Sequence, residues 1–447
     1  MVWINFTVKL IHNLLARILY NISIYLYQFI IWLASPFNKK AKLWVEGRRD
    51  FGFSISDFGF TDTTNPQSNI EYQTSKTAWF HCASLGEFEQ GLPVIEKFKE
   101  TFPDYKILLT FFSPSGYEVR KNYQGVDYIC YLPADTPSNA REFIEHFKPS
   151  IAFFVKYEFW YNYLRILHEK QIPVISFSAI FRENQVFFKW YGGFHRNILK
   201  YFNHIFVQNK TSQNLLQSIG IQNVTVGGDT RFDRVAQIAK KSPIYVAVDS
   251  FKAEKPLLIV GSCWQEDFEV IAPFLNDFTK ELKVIIAPHE INEEQIERWI
   301  KVLKGTTIKF SDFSEISFDY EKPFQYKTLI IDDIGRLSSL YRHADFAWIG
   351  GAYGKGLHNV LEAATFGMPI FFGDKNYKKF QEATDLERLG GAKVVTNTED
   401  FEIEFKKLYD DSELRNQKSE VVRKYVKDNT GGTIKIIKYI DRLKKFG

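Results

Sequence analysis

The sequence has little cysteine, and the few cysteines it has are not grouped. Cys82, Cys130 and Cys263 are far apart in a chain of 447 residues, and each is embedded in apolar residues. An odd number of separated cysteines favours reduced, buried thiols in a cytosolic compartment over a disulfide framework. No CxxC or HExxH spacing occurs, which excludes the familiar zinc motifs.

Excess charge of one sign is also lacking. The formal net charge of +4 over the whole chain is too small to indicate nucleic-acid binding, and no known DNA- or RNA-binding signature occurs. No predicted strand is followed by G-x-G-x-x-G, which makes a nicotinamide enzyme the weakest of the enzyme hypotheses.

Apolar and aromatic residues are abundant instead. They make up 45% and 17% of the chain, respectively, without low-complexity segments or short repeats, so large buried cores are expected. The length predicts two domains of roughly 150–200 residues and an additional segment.

The additional segment is predicted at residues 1–40. Residues 18–38 carry no charge and are long enough, at about 1.5 Å per residue, to cross a hydrocarbon core of about 30 Å. The basic residues that follow this segment place the main body in the cytoplasm by the positive-inside rule; they are Lys39, Lys40, Lys42, Arg48 and Arg49. A buried helix of the first domain and a helix lying in the membrane interface remain alternatives.

After a polar stretch at residues 52–76, short apolar runs alternate with helical patterns in two successive series. Such alternation predicts two Rossmann-like domains with parallel sheets, at 41–240 and 241–447. The predicted strands are 78–81, 106–111, 128–131, 151–155, 174–177 and 204–207, then 257–260, 284–287, 306–309, 329–331, 346–349 and 369–372. Ligands of such sheets bind outside the carboxyl ends of the strands.

A glycine-rich segment follows one strand of the second series. Gly350, Gly351, Gly354 and Gly356 allow close approach of the backbone to a ligand, and a helix predicted to start near His358 or Asn359 offers free N–H groups to a phosphate. Glu362 would accept ribose hydroxyls, so the segment indicates a nucleotide site. Tight packing of a strand on a helix is the alternative interpretation.

In the first series, Ser84 and Glu87 follow the first strand. Their Ser-x-x-Glu spacing is that of a helix capping box, in which each side chain binds the other residue's backbone N–H. A catalytic Glu87 facing the predicted cleft, with Gly86 leaving room for a ligand, is the alternative.

Further polar groups follow other strands of this series. Ser113 and Ser115 lie after the second strand and would form an anion-binding turn. Lys156 and Glu158 follow the fourth strand, and Arg182 follows the fifth. An ordinary turn, a surface ion pair and a solvated arginine are the competing explanations.

In combination, these motifs resemble those of one family, the Kdo (3-deoxy-octulosonic acid) transferases. The resemblance spans nearly the whole chain. It rests on Ser84-Leu-Gly-Glu87, Ser113-Pro-Ser-Gly-Tyr-Glu118, Leu132-Pro-Ala-Asp135, Tyr157-Glu-Phe-Trp160, Gly228-Asp-Thr-Arg-Phe-Asp233, the segment from Leu337 to Tyr341, and Gly350-Gly to His358-Asn-x-x-Glu362.

The resemblance implies an α/β GT-B fold, with two Rossmann-like domains facing across a cleft and an N-terminal membrane-anchor helix. It implies CMP-Kdo as donor, no separate cofactor, and a lipid A precursor (lipid IVA) as acceptor at the cytoplasmic face of the inner membrane, in lipopolysaccharide biosynthesis. Nucleic acid is not an expected partner. By position, Glu87 matches the family's catalytic base, Glu158 its second carboxylate, and His358, Asn359 and Glu362 its nucleotide-binding segment.

The chain departs from the family pattern on the donor side. The usual Pro-Arg-His reads Pro288-His289, and the family's Gly-Glu-Leu reads Gly335-Arg336-Leu337. Arg231 or Arg336 would replace the missing charge. The predicted donor set is Arg231, Ser262, His289, Gly350, Gly351, Gly356, His358, Asn359 and Glu362.

The implied reaction is an inverting displacement in which an ionised Glu87 takes the proton of the acceptor hydroxyl. No Asp-x-Asp occurs, so we expect no catalytic metal. An acceptor surface is predicted from Trp160, Phe187, Phe188, Lys189, Trp190 and Tyr191, with core packing as the alternative. A UDP-sugar transferase of the same fold and a catalytically silent, membrane-tethered scaffold remain rival functions.

Overall fold

The structure, a computed structural model, describes residues 2–49, 76–316 and 325–445. The predicted polar stretch at 52–76 therefore lies outside the described residues, except for Lys76. The chain forms two compact units. The first contains residues 1–234 and 431–447, and the second contains residues 235–430.

The first unit is built on a seven-stranded parallel sheet in the order β3-β2-β1-β4-β5-β6-β7. Its strands are β1 Lys76–Cys82, β2 Tyr105–Phe111, β3 Tyr128–Tyr131, β4 Pro149–Val155, β5 Val174–Ala179, β6 His204–Val207 and β7 Val224–Val226. Its helices are Val2–Ala34, Lys39–Arg49, Leu85–Thr101, Pro114–Arg120, Pro137–Phe147, Tyr161–Glu169, the 3₁₀ turn Val186–Phe188, Gly193–Leu199, Lys210–Ser218, the start of Arg231–Lys241, and Gly432–Lys445.

The second unit repeats this architecture with strand order β10-β11-β9-β8-β12-β13-β14. Its strands are β8 Leu257–Cys263, β9 Lys283–Pro288, β10 Thr307–Lys309, β11 Thr328–Ile330, β12 Phe346–Ile349, β13 Ile370–Gly373 and β14 Ala392–Val395. Its helices are Val246–Lys252, Gln265–Asp277, Glu293–Val302, Phe310–Ile316, Leu337–Leu340, the 3₁₀ turn Tyr341–His343, Val360–Ala364, Gln381–Leu389, Thr398–Asp410 and Ser412–Asn429.

All of the predicted strands are confirmed, and two short edge strands, β7 and β14, were missed. The central strands read as continuous apolar runs because helices cover both faces of a parallel sheet. Residues 77–82 of β1, for example, are all buried. The three cysteines are free and buried, as predicted.

Polar caps start many of the helices. Thr136, Asn209, Asn292, Asn397 and Asp411 each precede a helix and accept a hydrogen bond from a backbone N–H of its first turn. Such caps satisfy donors that have no partner within the helix. They fix the residue at which each of these helices begins.

The C-terminal helix Gly432–Lys445 lies in the first unit, whereas the sequence-based division assigned it to the domain at 241–447. Ile436, Ile437 and Ile440 are buried in the core of the first unit, beside Phe98 and Phe206. Burial of this apolar face is the physical reason for the placement.

The Asp233 carboxylate fixes the start of the same helix. Its Oδ1 accepts the backbone N–H of Gly431 at 2.6 Å, and its Oδ2 accepts that of Thr433 at 2.7 Å. The C-terminal segment is therefore joined to the first unit at its first turn as well as along its apolar face.

The N-terminal helix ends at Ala34, not at residue 38 as the uncharged segment suggested. A residue that precedes a proline disfavours helical backbone, and Pro36 follows Ser35 directly. The Asn38 side chain then accepts the backbone N–H groups of Lys40 and Ala41 at the start of the next helix. Within this helix, residues 14–34 are long and apolar enough to cross a membrane.

One side of the N-terminal helix packs on the first unit. The Tyr20 hydroxyl donates to Asp135 Oδ2 at 2.6 Å, and Asn162 Nδ2 donates to Asn21 Oδ1 at 2.9 Å. The opposite side is exposed and apolar; it includes Leu15, Leu19, Ile22, Leu26, Phe29 and Leu33. The helix is therefore docked at its middle and leaves an apolar face uncovered.

Candidate active site

In the first unit, the predicted polar residues meet at the carboxyl edge of the sheet. All strand pairings are parallel, so β1, β2, β4 and β5 end at the same edge. Glu87 follows β1, Ser113 follows β2, Glu158 follows β4 and Arg182 follows β5. The neighbours β1 and β4 mark the point where the strand order reverses, which is where open α/β sheets bind ligands.

Glu87 lies in the first turn of helix Leu85–Thr101 and is partly exposed. Its Oε2 accepts the backbone N–H of Ala83 at 2.5 Å. The Ser84 side chain makes no capping hydrogen bond, so the predicted reciprocal capping box is only half formed. Glu87 therefore stabilises its own helix and still presents a carboxyl group at the sheet edge.

The pKa of Glu87 is raised to about 8, first by burial and then by the charge of Glu158, against smaller lowering effects that include Lys156. This pKa is higher than the expectation of an ionised Glu87 implied. Removal from water and a second carboxylate both disfavour the ionised form. A carboxyl group with this pKa binds a proton much more strongly than an ordinary glutamate, as a general base near neutral pH requires.

Glu158 is held by a buried hydrogen-bond network. Its Oε2 accepts Trp160 Nε1–H at 2.6 Å and lies 3.2 Å from His81 Nε2. His81 Nδ1 lies 2.8 Å from the Thr110 hydroxyl, which accepts Trp79 Nε1–H at 2.8 Å.

His81 thus links Thr110 to Glu158, and Trp160 Nε1–H lies within hydrogen-bond distance of both Glu158 Oε2 and His81 Nε2. Glu158 is thus a fixed second carboxylate and not the surface ion pair of the alternative interpretation.

The loop after β2 is a helix start and not an isolated turn. Ser113 caps helix Pro114–Arg120, and its Oγ accepts the Ser115 backbone N–H at 3.2 Å. A Cβ at Gly116 would lie 2.3 Å from the Phe111 ring, so glycine is required for this close packing. By contrast, a Cβ at Gly86 would meet nothing closer than Ser84 Oγ at 4.0 Å, which leaves the room predicted beside Glu87.

The predicted acceptor surface divides into two parts. Phe187 is buried against Phe159 and Phe181, which confirms the core alternative for this residue. Trp190 and Tyr191 are exposed, Trp190 by 92%.

Trp160, of the predicted acceptor surface, and Arg182, of the predicted acceptor-side residues, each contact a neighbouring side chain. The Trp160 ring packs on Phe112 with centroids 4.6 Å apart. Arg182 Nη1 donates to the Tyr157 hydroxyl at 3.1 Å.

In the second unit, the glycine segment forms a tight loop between β12 and helix Val360–Ala364. A Cβ at Gly350 would lie 2.2 Å from the Ser262 carbonyl oxygen, and Gly351 and Gly356 have φ of 94° and 135°. Only glycine fits these positions without strain. Ser262 itself has a positive φ of 51°, at a register shift between β8 and β9.

A buried carboxylate, Asp267, fixes this loop. Its Oδ2 accepts the backbone N–H groups of Gly351 at 2.8 Å and Trp264 at 3.0 Å, and its Oδ1 accepts Trp348 Nε1–H at 3.3 Å. Burial raises the pKa of Asp267 to about 6, against these hydrogen bonds, which lower it. The glycine loop is therefore preorganised by a side chain from the preceding β–α unit.

The predicted helix start after the loop is confirmed. Asn359 is the cap of helix Val360–Ala364, its Oδ1 accepts the Leu361 backbone N–H, and its Nδ2 donates to Glu362 Oε1 at 3.2 Å. The helix has only five residues, so its dipole is smaller than the sequence suggested. His289, which follows β9, stacks on both His358 and Trp264, which are joined edge to edge by a hydrogen bond.

Arg231 belongs to the first unit, and its guanidinium donates to Asp229 Oδ2 at 2.9 Å. Burial acts to raise the pKa of Asp229, but the Arg231 charge and several hydrogen bonds outweigh it and hold that pKa below its usual value. Arg336 pairs with Asp333 and packs over Tyr245 and Phe310. Both arginines proposed to replace the missing charge are thus already paired.

Two lysines lie at the glycine loop instead. Lys355 Nζ lies over the Trp264 ring, 4.2 Å from its centroid, and Lys379 Nζ would be 2.9 Å from a Cβ at Gly356. These two lysines therefore supply positive charge at the loop, although the arginine of the family's Pro-Arg-His is missing.

Comparison with known proteins shows which family the chain resembles. Residues 56–234 match the family model described as 3-deoxy-D-manno-octulosonic-acid transferase (kdotransferase). The chain is 26% identical to the 3-deoxy-D-manno-octulosonic acid transferase of Aquifex aeolicus, over 71% of this chain and 82% of that protein. It is 25% identical to that of Chlamydophila psittaci, over 73% and 76%. Residues 56–234 therefore correspond to a Kdo transferase domain, and the chain is similar to Kdo transferases over most of its length.

Solved structures with the same architecture show the fold of this chain. A UDP-GlcNAc 2-epimerase from Neisseria meningitidis aligns with a TM-score of 0.57 at 13% identity, over 82% of this chain and 100% of that chain. MurG from Acinetobacter baumannii aligns with a TM-score of 0.52 at 13% identity, over 82% and 99%. The two Rossmann-like units thus form a GT-B fold, as predicted.

Sequence reasoning missed four residues that the structure places beside candidate site residues, namely His81 in the first unit and Trp264, Asp267 and Lys355 in the second. Asp267 had a detectable signal, because it is the third residue of a helix that begins directly after a strand. His81 is a buried polar residue within the otherwise apolar residues 78–82 of β1. Trp264 gave no such signal, since its partner His358 is 94 residues away.

Proposed function

We propose that this Kdo glycosyltransferase transfers Kdo from CMP-Kdo to a lipid A precursor, with Glu87 as the general base. The observation that carries the proposal is the Glu87 carboxyl group. It lies at the carboxyl edge of the first sheet, beside an open space at Gly86, with a pKa raised to about 8 by burial and by Glu158.

In the first step, the Glu87 carboxylate accepts the proton of the acceptor hydroxyl as that oxygen attacks the anomeric carbon. Glu158 remains in place because Trp160 and His81 bind its carboxylate. Its charge favours proton uptake by Glu87, since a second nearby negative charge disfavours the ionised form.

On the donor side, negative charge builds on the phosphate of the departing CMP. The backbone of the glycine loop, preorganised by Asp267, and the ammonium groups of Lys355 and Lys379 are the groups that would stabilise it. Fixed donors of this kind need no rearrangement during the reaction. Asn359 and Glu362, which bond to each other, would bind the sugar hydroxyls of the nucleotide.

The acceptor is a lipid, and the uncovered apolar face of the N-terminal helix supports attachment to the membrane that holds it. The basic residues after this helix favour the cytoplasmic face of the inner membrane. No separate cofactor and no catalytic metal are proposed, and activity should survive treatment with EDTA.

The test is transfer by the purified protein in detergent micelles that contain lipid IVA and CMP-Kdo. Mass spectrometry should show addition of Kdo to the lipid and give the number of residues added. In competition, CMP should inhibit and UDP should not. Inhibition by UDP alone, with no Kdo product, would support the rival UDP-sugar transferase, and a protein without any transfer activity would fit the scaffold.

A further inference from the structure

Three aromatic rings lie together on the donor side of the second unit. Trp264 follows β8, His289 follows β9, and His358 follows the glycine loop. The ring centroids of Trp264 and His289 are 4.3 Å apart, and those of His289 and His358 are 4.2 Å apart. In addition, Trp264 Nε1–H donates to His358 Nε2 at 3.0 Å.

This hydrogen bond determines where the proton of His358 lies. An indole nitrogen is a donor and has no acceptor capacity, so His358 Nε2 must supply the lone pair. In a neutral imidazole, one nitrogen accepts and the other carries the proton. His358 is consequently restricted to the tautomer with its proton on Nδ1.

Protonation of Nε2 is disfavoured by the surroundings as well. Burial, followed by the neighbouring His289, lowers the pKa of His358 to about 4. The other charged groups at this stack are Lys355, which lies over the Trp264 ring, and Glu290, which acts on His289. His358 is therefore neutral at the pH at which the protein works.

We propose that Trp264 is a positioning residue of the donor site, which fixes His358 as a neutral Nδ1–H donor toward an anionic oxygen of the sugar nucleotide. The identity of the ligand rests on the proposed function, whereas the tautomer does not. In the part of the chain that the structure describes, no partner of His358 Nδ1 is recorded. The lysines at the same loop, Lys355 and Lys379, make an anionic ligand the suitable one.

A nuclear magnetic resonance measurement on the free protein tests the tautomer directly. The full-length protein is labelled with ¹⁵N at its nine histidines. The His358 resonances are assigned by their absence in His358→Gln. At neutral pH, we expect Nδ1 to show the shift of a protonated nitrogen and Nε2 that of an unprotonated, hydrogen-bonded one. A proton on Nε2 in the wild-type protein would overturn the inference without reference to any substrate.

Trp264→Phe keeps an aromatic ring but removes the indole N–H. We expect His358 to become a mixture of tautomers and the KM for CMP-Kdo to rise about tenfold, the usual effect of losing one hydrogen bond to an anion, with little change in kcat. Trp299→Phe is the matched control. It also removes an indole N–H in the second unit, where Trp299 donates to Gln265, but it leaves the His358 bond intact.

The outcomes separate the inference from the proposed function. If Trp264→Phe changes the tautomer but leaves KM equal to that of Trp299→Phe, the role of His358 toward the donor is refuted. If the wild-type protein shows the expected tautomer but has no activity with CMP-Kdo, the proposed function fails while the role of Trp264 toward His358 stands.

Discussion

The Glu87 carboxyl group is both held in place and made basic by its surroundings. The Ala83 N–H fixes one oxygen at 2.5 Å, which restricts the rotation of the side chain. Burial and the Glu158 charge together raise its pKa to about 8. A carboxylate that is already oriented and poorly solvated gives up less hydration when it takes a proton than a carboxylate in water does. Helix capping and catalysis are therefore compatible roles for this residue.

The first prediction concerns the loss of this base. Glu87→Gln keeps the shape of the side chain but cannot take a proton, so we expect transfer to fall by at least about a hundredfold while the fold remains. The measurement is the initial rate of Kdo transfer together with the circular dichroism spectrum. Glu96→Gln, on the same helix, is the control and should retain its rate. Equal rates for the two variants would remove Glu87 from the mechanism.

The second prediction concerns stability. The folded-state pKa of Glu87, about 8, is above the 4.5 of a free carboxyl group. Between these values the unfolded chain has lost a proton that the folded state keeps, so the free energy of unfolding falls as the pH rises through this window. The fall should be smaller in Glu87→Gln. Urea unfolding at a series of pH values measures it, and identical pH slopes for the two proteins would contradict the raised pKa.

The third prediction separates the two carboxylates. The rate of the wild-type protein should rise with pH as Glu87 ionises. Because the Glu158 charge is one cause of the raised pKa, Glu158→Gln should move the midpoint of this rise to lower pH. The pH dependence of kcat is the measurement. A midpoint that stays in place would mean that burial alone sets the pKa of Glu87. Glu96→Gln is the control, because it shows the effect of losing an unrelated charge.

Among the elements, the N-terminal helix limits the ways in which the protein could attach to a membrane. Its middle is joined to the body by Tyr20 and Asn21, whose partners Asp135 and Asn162 follow β3 and β4. A helix that crosses a bilayer has its middle in hydrocarbon, where these polar groups of the body would be costly to place. The docked helix and its uncovered apolar side therefore favour a position in the plane of the interface.

The fourth prediction follows from this position. A cysteine introduced as Asn5→Cys should not react with a membrane-impermeant maleimide added to the outside of spheroplasts, and it should react after the membrane is permeabilised. The native cysteines are all buried, so they give little background. Labelling from outside intact spheroplasts would show that the helix crosses the membrane.

At the scale of the whole molecule, the repeated α/β pattern was readable from the sequence because buried parallel strands are apolar throughout. The shortest edge strands, β7 and β14, were missed because three or four residues give no periodic pattern. The place of the C-terminal helix was also missed. Its apolar face shows that the helix is packed, but an amphipathic pattern does not identify the surface that it packs on.

The residues of the candidate site were predictable where one short motif contains the reactive or ligand-binding groups. Glu87 and the glycine loop were found in this way, and the pKa of Glu87 was not, because it depends on burial and on Glu158, 71 positions away in the sequence. Trp264 escaped for the same reason, since its partner His358 is 94 residues away. Local sequence identifies groups that can react, whereas the fold determines their proton affinity and orientation.

The fifth prediction tests the assignment of the C-terminal helix to the first unit. Ile440 is fully buried, so Ile440→Ala should lower the free energy of unfolding by about 3 kcal/mol through lost burial and the cavity that remains. Ile434 lies on the same helix and is 44% exposed, so Ile434→Ala should change the free energy of unfolding by less than about 0.5 kcal/mol.

Hydrogen exchange followed by mass spectrometry shows which strands are destabilised by the substitution. In Ile440→Ala, exchange should accelerate in β1 and β4 but not in β8 and β12, because the apolar face of this helix is buried in the core of the first sheet. Faster exchange in β8 and β12 would place the helix with the second unit instead.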